Sequence, residues 1–128
     1  MTRMSEAADV DLNQHCILIV EDEIVVAMDL ADIVRDAGAE VVGPAMSVAE
    51  ALRLIETHNI TGAILDVQLG NDNSLSVAKR LEAAKIPFVL HTGNRSDGWY
   101  TGWPQAPILK KPSEPGRLVA TLAALATK

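Results

Sequence analysis

Polar residues that could do chemistry follow several short apolar runs of this sequence. Asp66 ends the run GAIL, and Glu21 and Asp22 follow the run CILIV. A carboxylate at the end of a buried strand costs free energy unless a positive charge lies opposite it. Two further apolar runs lead to Thr92 and Lys111, which offer a hydroxyl and an ammonium group. These residue types predict one polar site built from several chain segments.

The chemistry that such a group of residues suits is phosphoryl transfer. Carboxylates that lie close together repel one another, and Mg²⁺, which prefers hard oxygen ligands, relieves that repulsion. A cation, the Lys111 ammonium and the Thr92 hydroxyl could together neutralise the oxygens of a phosphoryl group. Asp66 would then be the nucleophile and form an acyl phosphate. Glu21 and Asp22 could instead simply cap the following helix.

Apolar runs and amphipathic segments alternate along the chain. The runs are typical of strands buried on both faces, and they are CILIV, EVVGPA, GAILDV, IPFVLHT and PILK. Between them, apolar residues recur at helical spacing, as with Val26, Leu30 and Val34. This alternation predicts an α/β fold with a parallel sheet covered by helices on both faces. The carboxyl ends of the strands then meet at one edge of the sheet.

Two local features should flank that edge. Residues 70–73, with the sequence GNDN, are predicted to form a polar loop after the third strand. Ile24, Val25 and Met28 lie off the core stripe of the first helix, so part of their apolar surface should be exposed beside Asp66.

Composition and charge limit the classes of function. The chain has 128 residues, 48% of them hydrophobic, which favours one domain with its own core. Its net charge of −6 argues against binding to nucleic-acid phosphates. A single cysteine, no signal peptide and no apolar run long enough to span a membrane predict a cytoplasmic protein. We expect a flexible leader over residues 1–14 and one domain over residues 15–128.

Four short motifs resemble those of the response-regulator receiver domain of two-component signalling. They are VEDE at 20–23, LDVQL at 65–69, HTG at 91–93 and KKP at 110–112. Each motif alone is weak evidence, but four in the correct order, each at the end of a predicted strand, are specific. The resemblance extends from about Cys16 to the end of the chain. It implies a doubly wound (βα)5 fold with a five-stranded parallel sheet in the order 2-1-3-4-5.

The resemblance also implies a role for each polar residue at the sheet edge. Asp66 would be the phosphoacceptor, Thr92 the switch hydroxyl and Lys111 the lysine of the site. The ligands of Mg²⁺ would be Glu21, Asp22, Asp66 and the backbone carbonyl of Gln68. The Lys111–Pro112 peptide bond is expected to be cis.

Partners follow from the same resemblance. Receiver domains accept a phosphoryl group from a histidine kinase or a histidine phosphotransfer protein and signal through protein contacts. Such a domain is not an enzyme beyond its own phosphoryl transfer and dephosphorylation. The last helix could contact an unknown downstream target or a second copy of the chain, which would form a homodimer.

The sequence departs from the family before its last strand. The family often carries an aromatic residue three positions before the lysine, and Ile108 stands there instead. Glycines and a proline interrupt the preceding segment, so we expect a shortened or irregular fourth helix. Trp99, Tyr100 and Trp103 lie in that segment. They either pack over the gap or bind a partner, since Trp and Tyr are enriched at interfaces.

Three other functions share parts of this pattern. A haloacid-dehalogenase-like phosphatase also forms an aspartyl phosphate, but it needs a second acid where this chain has Gln68. A flavodoxin-like FMN carrier needs a phosphate-cradling loop after the first strand, where the acidic EDE would repel phosphate. A receiver-like docking scaffold that phosphorylation does not regulate is the third, although Asp66 and Lys111 argue against it.

Overall fold

The computed structural model describes residues 11–93 and 102–126. Strands β1 to β7 are Cys16–Val20, Glu40–Ala45, Gly62–Asp66, Gln68–Leu69, Asp72–Asn73, Phe88–Thr92 and Ile108–Lys110. Helices α1 to α4 are Ile24–Asp36, Val48–Thr57, Leu75–Ala83 and Pro115–Ala126. None of these helices has the length and apolar character needed to cross a lipid bilayer.

Five strands form one parallel sheet in the order β2-β1-β3-β6-β7. Counted along the chain as the five strands of that sheet, this is the order 2-1-3-4-5, so the predicted α/β fold is confirmed. Strand β3 lies in the centre, between β1 and β6. Because the sheet is parallel, the residues that follow β1, β3, β6 and β7 all lie at the same edge.

A short antiparallel hairpin follows β3, where we predicted a polar loop. Gln68 pairs with Asn73 and Leu69 with Asp72, so the chain reverses at residues 70–71. Gly70 has a φ of 59°, in the left-handed region that glycine adopts without steric cost. A two-residue turn that begins with glycine is a hairpin signal. The hairpin was not predicted, because a run of polar residues is equally typical of an irregular loop.

Hydrophobic side chains pack on both faces of the parallel sheet. The helix residues buried on one face belong to α1 and α4 and are Leu30, Ala31, Val34, Leu118, Val119 and Leu122. Those on the other face belong to α2 and α3 and are Ala51, Leu54, Ile55, Val77, Ala78 and Leu81. The sheet is therefore covered on both faces, and packed strands hold the residues that follow them.

The described part of the segment before β7 contains no helix. Residues 102–107 form a turn and irregular structure, and Trp103 packs partly buried against the core under α2 and α3. Residues 94–101, with Trp99 and Tyr100, lie outside the described residues, so the length of the expected fourth helix stays a prediction.

The chain is packed before the predicted domain boundary at residue 15. Leu12 is fully buried, and its backbone N–H donates to the carbonyl oxygen of Ala37 at 2.7 Å. Residues 1–10 of the predicted leader lie outside the described residues. At the other end of the sheet, the Lys111–Pro112 peptide bond is cis, as the resemblance implies, and Gly43–Pro44 is a second cis bond that we did not predict.

Candidate functional site

Three carboxylates come together at the carboxyl edge of the sheet. Glu21 and Asp22 follow β1, and Asp66 ends the neighbouring strand β3. One oxygen of each carboxylate lies within 4.8 Å of an oxygen of the other two. Glu21 is fully buried, Asp66 is 6% exposed and Asp22 is half-buried. The fold thus assembles the acidic residues that the sequence singled out.

Lys111 supplies the positive charge opposite these acids. Its Nζ lies 2.9 Å from Glu21 Oε1 and donates a hydrogen bond to Asp66 Oδ2 at 3.1 Å. It also lies 3.6 Å from Glu23 Oε1, at the exposed rim. Lys110 is exposed, because consecutive residues of a strand point to opposite sides. The ammonium of Lys111 is therefore the one that faces the site.

The pKa values of Asp66 and Lys111 reflect this crowding. Burial, and next the negative charge of Glu21, raise the pKa of Asp66 to about 7, although Lys111 acts to lower it. Burial acts to lower the pKa of Lys111, but the hydrogen bonds and charges of Glu21 and Asp66 outweigh it and raise that pKa. The ammonium form of Lys111 is therefore favoured. Its single positive charge neutralises only part of the negative charge of the three carboxylates.

Backbone N–H groups of the hairpin after β3 donate hydrogen bonds to two of the three carboxylates. The backbone N–H of Gly70 donates to Asp22 Oδ2 at 2.7 Å, and that of Gln68 to Asp66 Oδ1 at 3.3 Å. Ser74, which precedes α3, donates its hydroxyl to the carbonyl oxygen of Asp66 at 2.6 Å. Sequence reasoning missed Gly70 and Ser74. The available signals were a turn glycine and a serine before a helix, and neither points to the acids.

Thr92 lies at the same edge, at the end of β6. It is buried, and its carbonyl oxygen accepts a hydrogen bond from the backbone N–H of Lys111 at 2.7 Å. Its hydroxyl makes no hydrogen bond to any residue within 11–93 or 102–126. The structure therefore places Thr92 beside the acids without hydrogen-bonding its hydroxyl to them.

His91 is a buried neighbour of the site for which sequence reasoning found no role. It pairs with Asp66 in the register of β3 and β6. Burial lowers the pKa of its imidazole, the charge of Lys111 acts in the same direction, and Glu21 opposes them. Neither ring nitrogen has a hydrogen-bond partner in the described part of the chain. Burial and the charge of Lys111 therefore favour the uncharged form of this imidazole.

The donor set fits a hard divalent cation such as Mg²⁺. The carboxylates of Glu21, Asp22 and Asp66 offer oxygen ligands close enough to share one ion. Burial, and next the charge of Glu21, raise the pKa of Asp66, and a bound cation would act in the opposite direction. Gln68 has an exposed side chain whose Nε2 donates to the carbonyl oxygen of Gly70, so the ligand it could offer is its backbone carbonyl.

A family model described as the response regulator receiver domain matches residues 17–123. The chain belongs to this family. The match includes the three acids, Thr92 and Lys111. Receiver domains are signalling domains, and they generally bind Mg²⁺ at an acidic pocket of the kind that these carboxylates form.

Relatives of this receiver domain are found among bacterial regulators. The transcriptional regulatory protein PdtaR of Mycobacterium tuberculosis is 36% identical over 77 residues, which cover 59% of this chain and 38% of PdtaR. The phyllosphere-induced regulator PhyR of Methylorubrum extorquens is 31% identical over 112 residues, which cover 84% of this chain and 42% of PhyR. This receiver domain therefore spans about two fifths of the length of these curated relatives.

A solved structure also resembles this receiver domain in sequence and in fold. The solution structure of SdrG from Sphingomonas melonis is 38% identical and superposes with a TM-score of 0.71. The superposition covers 89% of this receiver domain and 97% of the SdrG chain.

Proposed function

We propose that this receiver domain accepts a phosphoryl group on Asp66 from a histidine kinase or a histidine phosphotransfer protein, and then signals through protein contacts. The observation that carries the proposal is the setting of the Asp66 carboxylate. It is buried, contacts the ammonium of Lys111 and lies within 4.8 Å of two further acids. Such a cluster is a poor source of stability, because desolvation offsets the attraction between buried charges. A chemical role explains it better.

In the proposed reaction, a carboxylate oxygen of Asp66 attacks the phosphorus of a phosphohistidine. A bond forms between that oxygen and phosphorus, the bond from phosphorus to the imidazole nitrogen breaks, and the nitrogen keeps the electron pair. Lys111 Nζ, 3.1 Å from Asp66 Oδ2, is near enough to bind a phosphoryl oxygen. The Thr92 hydroxyl can donate to another oxygen, since it has no partner within the described ranges.

The residues that would hold Mg²⁺ are Asp22, Asp66 and the carbonyl of Gln68, with Glu21 bound directly or through water. When bound, the cation would neutralise negative charge on the phosphoryl oxygens. Asp66 must be ionised to act as a nucleophile, and its raised pKa opposes ionisation. Positive charge near Asp22 and Glu21 lowers that pKa, because an opposite charge favours the ionised form.

The phosphodonor protein is proposed to dock on the start of α1. Ile24, Val25 and Met28 are 52%, 78% and 56% exposed, as the helical pattern predicts, and α1 begins directly after the acids. A charged substitution at Val25 should slow transfer from a kinase while transfer from a small phosphodonor keeps its rate. Equal slowing of both reactions would indicate a folding defect instead.

The output is proposed to pass through the segment before β7 and through α4. Ile108 is exposed where the family often has an aromatic residue, so we expect loop rearrangement rather than a ring flip to transmit the change at Thr92. Ala120 and Ala124 are small exposed residues of α4. They allow close contact with a downstream protein or a second copy of the chain.

Intact-mass measurement tests the proposed function. The protein is incubated with acetyl phosphate, a small acyl phosphate donor, with and without Mg²⁺. We expect a Mg²⁺-dependent gain of one phosphoryl group in the wild type and no gain in Asp66→Asn. A phosphoryl group gained equally by Asp66→Asn would show that another residue is the acceptor. A wild-type protein that gains none would favour the docking-scaffold function.

A further inference from the structure

Ser74 stands where a serine normally caps a helix, but it does not cap α3. It directly precedes Leu75, the first residue of α3, and it is fully buried. A serine at this position usually accepts a hydrogen bond from a backbone N–H in the first turn of the helix. The side chain of Ser74 makes no such bond. Its hydroxyl therefore contributes something other than a helix cap.

The hydroxyl of Ser74 donates back to the end of β3. Its Oγ lies 2.6 Å from the carbonyl oxygen of Asp66 and 3.2 Å from that of Val67. One hydroxyl has one proton to donate, so the shorter contact, to Asp66, is the main hydrogen bond. The backbone N–H of Ser74 donates to the carbonyl oxygen of Val67 at 2.9 Å. Side chain and backbone of Ser74 together close the loop that begins at Asp66.

These contacts orient the two peptide planes that follow the phosphoacceptor. The carbonyl of Asp66 belongs to the peptide that joins it to Val67, and the carbonyl of Val67 to the peptide that leads to Gln68. Asp66 is the last residue of β3, so the regular strand stops there. The Asp66 carboxylate receives the N–H of Gln68 at 3.3 Å and contacts Lys111 at 3.1 Å. The Gln68 contact depends on the direction in which the chain leaves the strand, and it holds one oxygen of the carboxylate whose other oxygen contacts Lys111.

We propose that Ser74 is a positioning residue for the phosphoacceptor. Its hydroxyl holds the backbone of Asp66 and Val67, so that the Asp66 carboxylate faces Lys111 and the other acids before a phosphodonor arrives. This inference rests on the proposed function of Asp66. Ser74 acts through the backbone of Asp66, because its hydrogen bonds go to main-chain carbonyls and not to the carboxylate.

Ser47 provides a matched control for the loss of a serine hydroxyl before a helix. It precedes α2, and its Oγ accepts a hydrogen bond from the backbone N–H of Glu50 at 3.2 Å. Ser47→Ala therefore removes a genuine helix cap that makes no contact with the acids. We expect Ser47→Ala to lower stability and to leave the backbone at Asp66 unchanged, so it separates a general loss of stability from a loss of positioning.

The experiment compares Ser74→Ala, Ser74→Thr and Ser47→Ala with the wild type, in the full chain. Urea melts first establish conditions in which each variant is folded. Calorimetry then measures the Mg²⁺ dissociation constant, and intact-mass time courses measure the rate of phosphorylation by acetyl phosphate. We expect Ser74→Ala to weaken Mg²⁺ binding and slow phosphorylation by about tenfold each, as loss of a supporting hydrogen bond does at other sites. Ser74→Thr keeps the hydroxyl and should stay within about threefold of the wild type, as should Ser47→Ala.

Wild-type values of both quantities in Ser74→Ala would overturn the proposal, as would equal losses in Ser47→Ala. Ser74→Cys keeps a weaker donor and should give intermediate values, so it decides the question if Ser74→Ala does not fold. If the wild type gains no phosphoryl group, the proposed function fails on its own. The Mg²⁺ comparison then tests Ser74 alone, and an unchanged dissociation constant overturns its role.

Discussion

The two sides of the site hold their polar groups differently. The acidic side consists of Glu21, Asp22, Asp66 and Lys111, and the hydroxyl side consists of His91 and Thr92. On the acidic side each carboxylate has an ion-pair or hydrogen-bond partner. On the hydroxyl side, neither the Thr92 hydroxyl nor the His91 ring makes a hydrogen bond to any residue in the described ranges.

This difference suggests that the acidic side serves phosphoryl acceptance and that the hydroxyl side serves the response to it. Groups that are already oriented can stabilise charge without reorganisation, so the acidic side is prepared to bind a cation and a phosphoryl group. A hydroxyl with no hydrogen bond to the described residues can gain one when a new acceptor arrives, so its position can report that arrival. We therefore expect variants on the acidic side to change phosphoryl acceptance, and variants on the hydroxyl side to change the response.

Apart from the loss of Asp66 itself, the largest effect is expected at Lys111. Lys111→Met removes the ammonium that contacts Glu21 and Asp66, and it should slow phosphorylation by acetyl phosphate about 100-fold, the usual effect of losing one charge-stabilising donor. Lys110→Met is the control, because Lys110 is the exposed neighbour. Rates come from intact-mass time courses. A similar loss in both variants would mean that overall charge, and not the contact with Asp66, matters.

Asp22 should have the next largest effect. Asp22→Ala removes one carboxylate from the cluster and the acceptor of the Gly70 N–H, so the Mg²⁺ dissociation constant should rise about tenfold. Calorimetry measures that constant. Asp29→Ala removes the same charge from the exposed part of α1 and should leave it unchanged.

The acidic side should also make Mg²⁺ binding depend on pH. The pKa of Asp66 is raised from its ordinary value of 3.8 to about 7, so between these values the metal-free fold keeps a proton that the unfolded chain releases. Asp66 therefore lowers the stability of the metal-free protein as pH rises through that window. Mg²⁺ competes with the same proton, so its affinity should fall by up to about tenfold per unit of pH below the pKa.

Calorimetry one unit below and one unit above the pKa of Asp66 tests this pH dependence. The asparagine of Asp66→Asn cannot ionise, so any Mg²⁺ binding that remains in this variant should lose most of its pH dependence. A pH dependence that persists unchanged in Asp66→Asn would assign the proton to a different group.

The smallest effect on acceptance is expected at Thr92. Thr92→Ala removes one uncharged donor to the phosphoryl group, which is a smaller loss than that of an ammonium or a carboxylate, so phosphorylation should slow by only about threefold. Hydrogen exchange across residues 102–107 should, however, stop responding to beryllofluoride, a phosphoryl mimic. Thr92→Ser should restore the response. A full response in Thr92→Ala would remove Thr92 from the output.

Much of the site could be predicted because it depends on topology. Glu21 and Asp22 follow β1, Asp66 ends β3 and Lys111 follows β7, and a parallel sheet brings such strand ends to one edge. Lys111, and not Lys110, was assigned through the resemblance of KKP to the receiver motif, and the exposure of Lys110 agrees with that assignment. The exposure of Val25 follows from helical periodicity in the same way.

The groups that could not be predicted depend on the path of the backbone after a strand ends. The N–H of Gly70 reaches Asp22 because residues 68–73 form a hairpin that folds back over the acids. The hydroxyl of Ser74 reaches Asp66 because the hairpin returns the chain to the end of β3 before α3 starts. No periodic pattern of residues in the sequence predicts either contact, because each one joins a single backbone group to a single side chain across a turn.

The sequence by itself determined the alternation of strands and helices and the residue types at the carboxyl edge of the sheet, because hydrophobic periodicity and the residues at strand ends are local properties. The order of the strands was implied by the resemblance to receiver domains. The tertiary structure alone decided which partner each carboxylate has, how far the pKa of Asp66 rises and which buried groups lack a hydrogen-bond partner among the described residues. Those properties depend on distances of a few ångströms between segments remote in sequence, and on the exclusion of water around them.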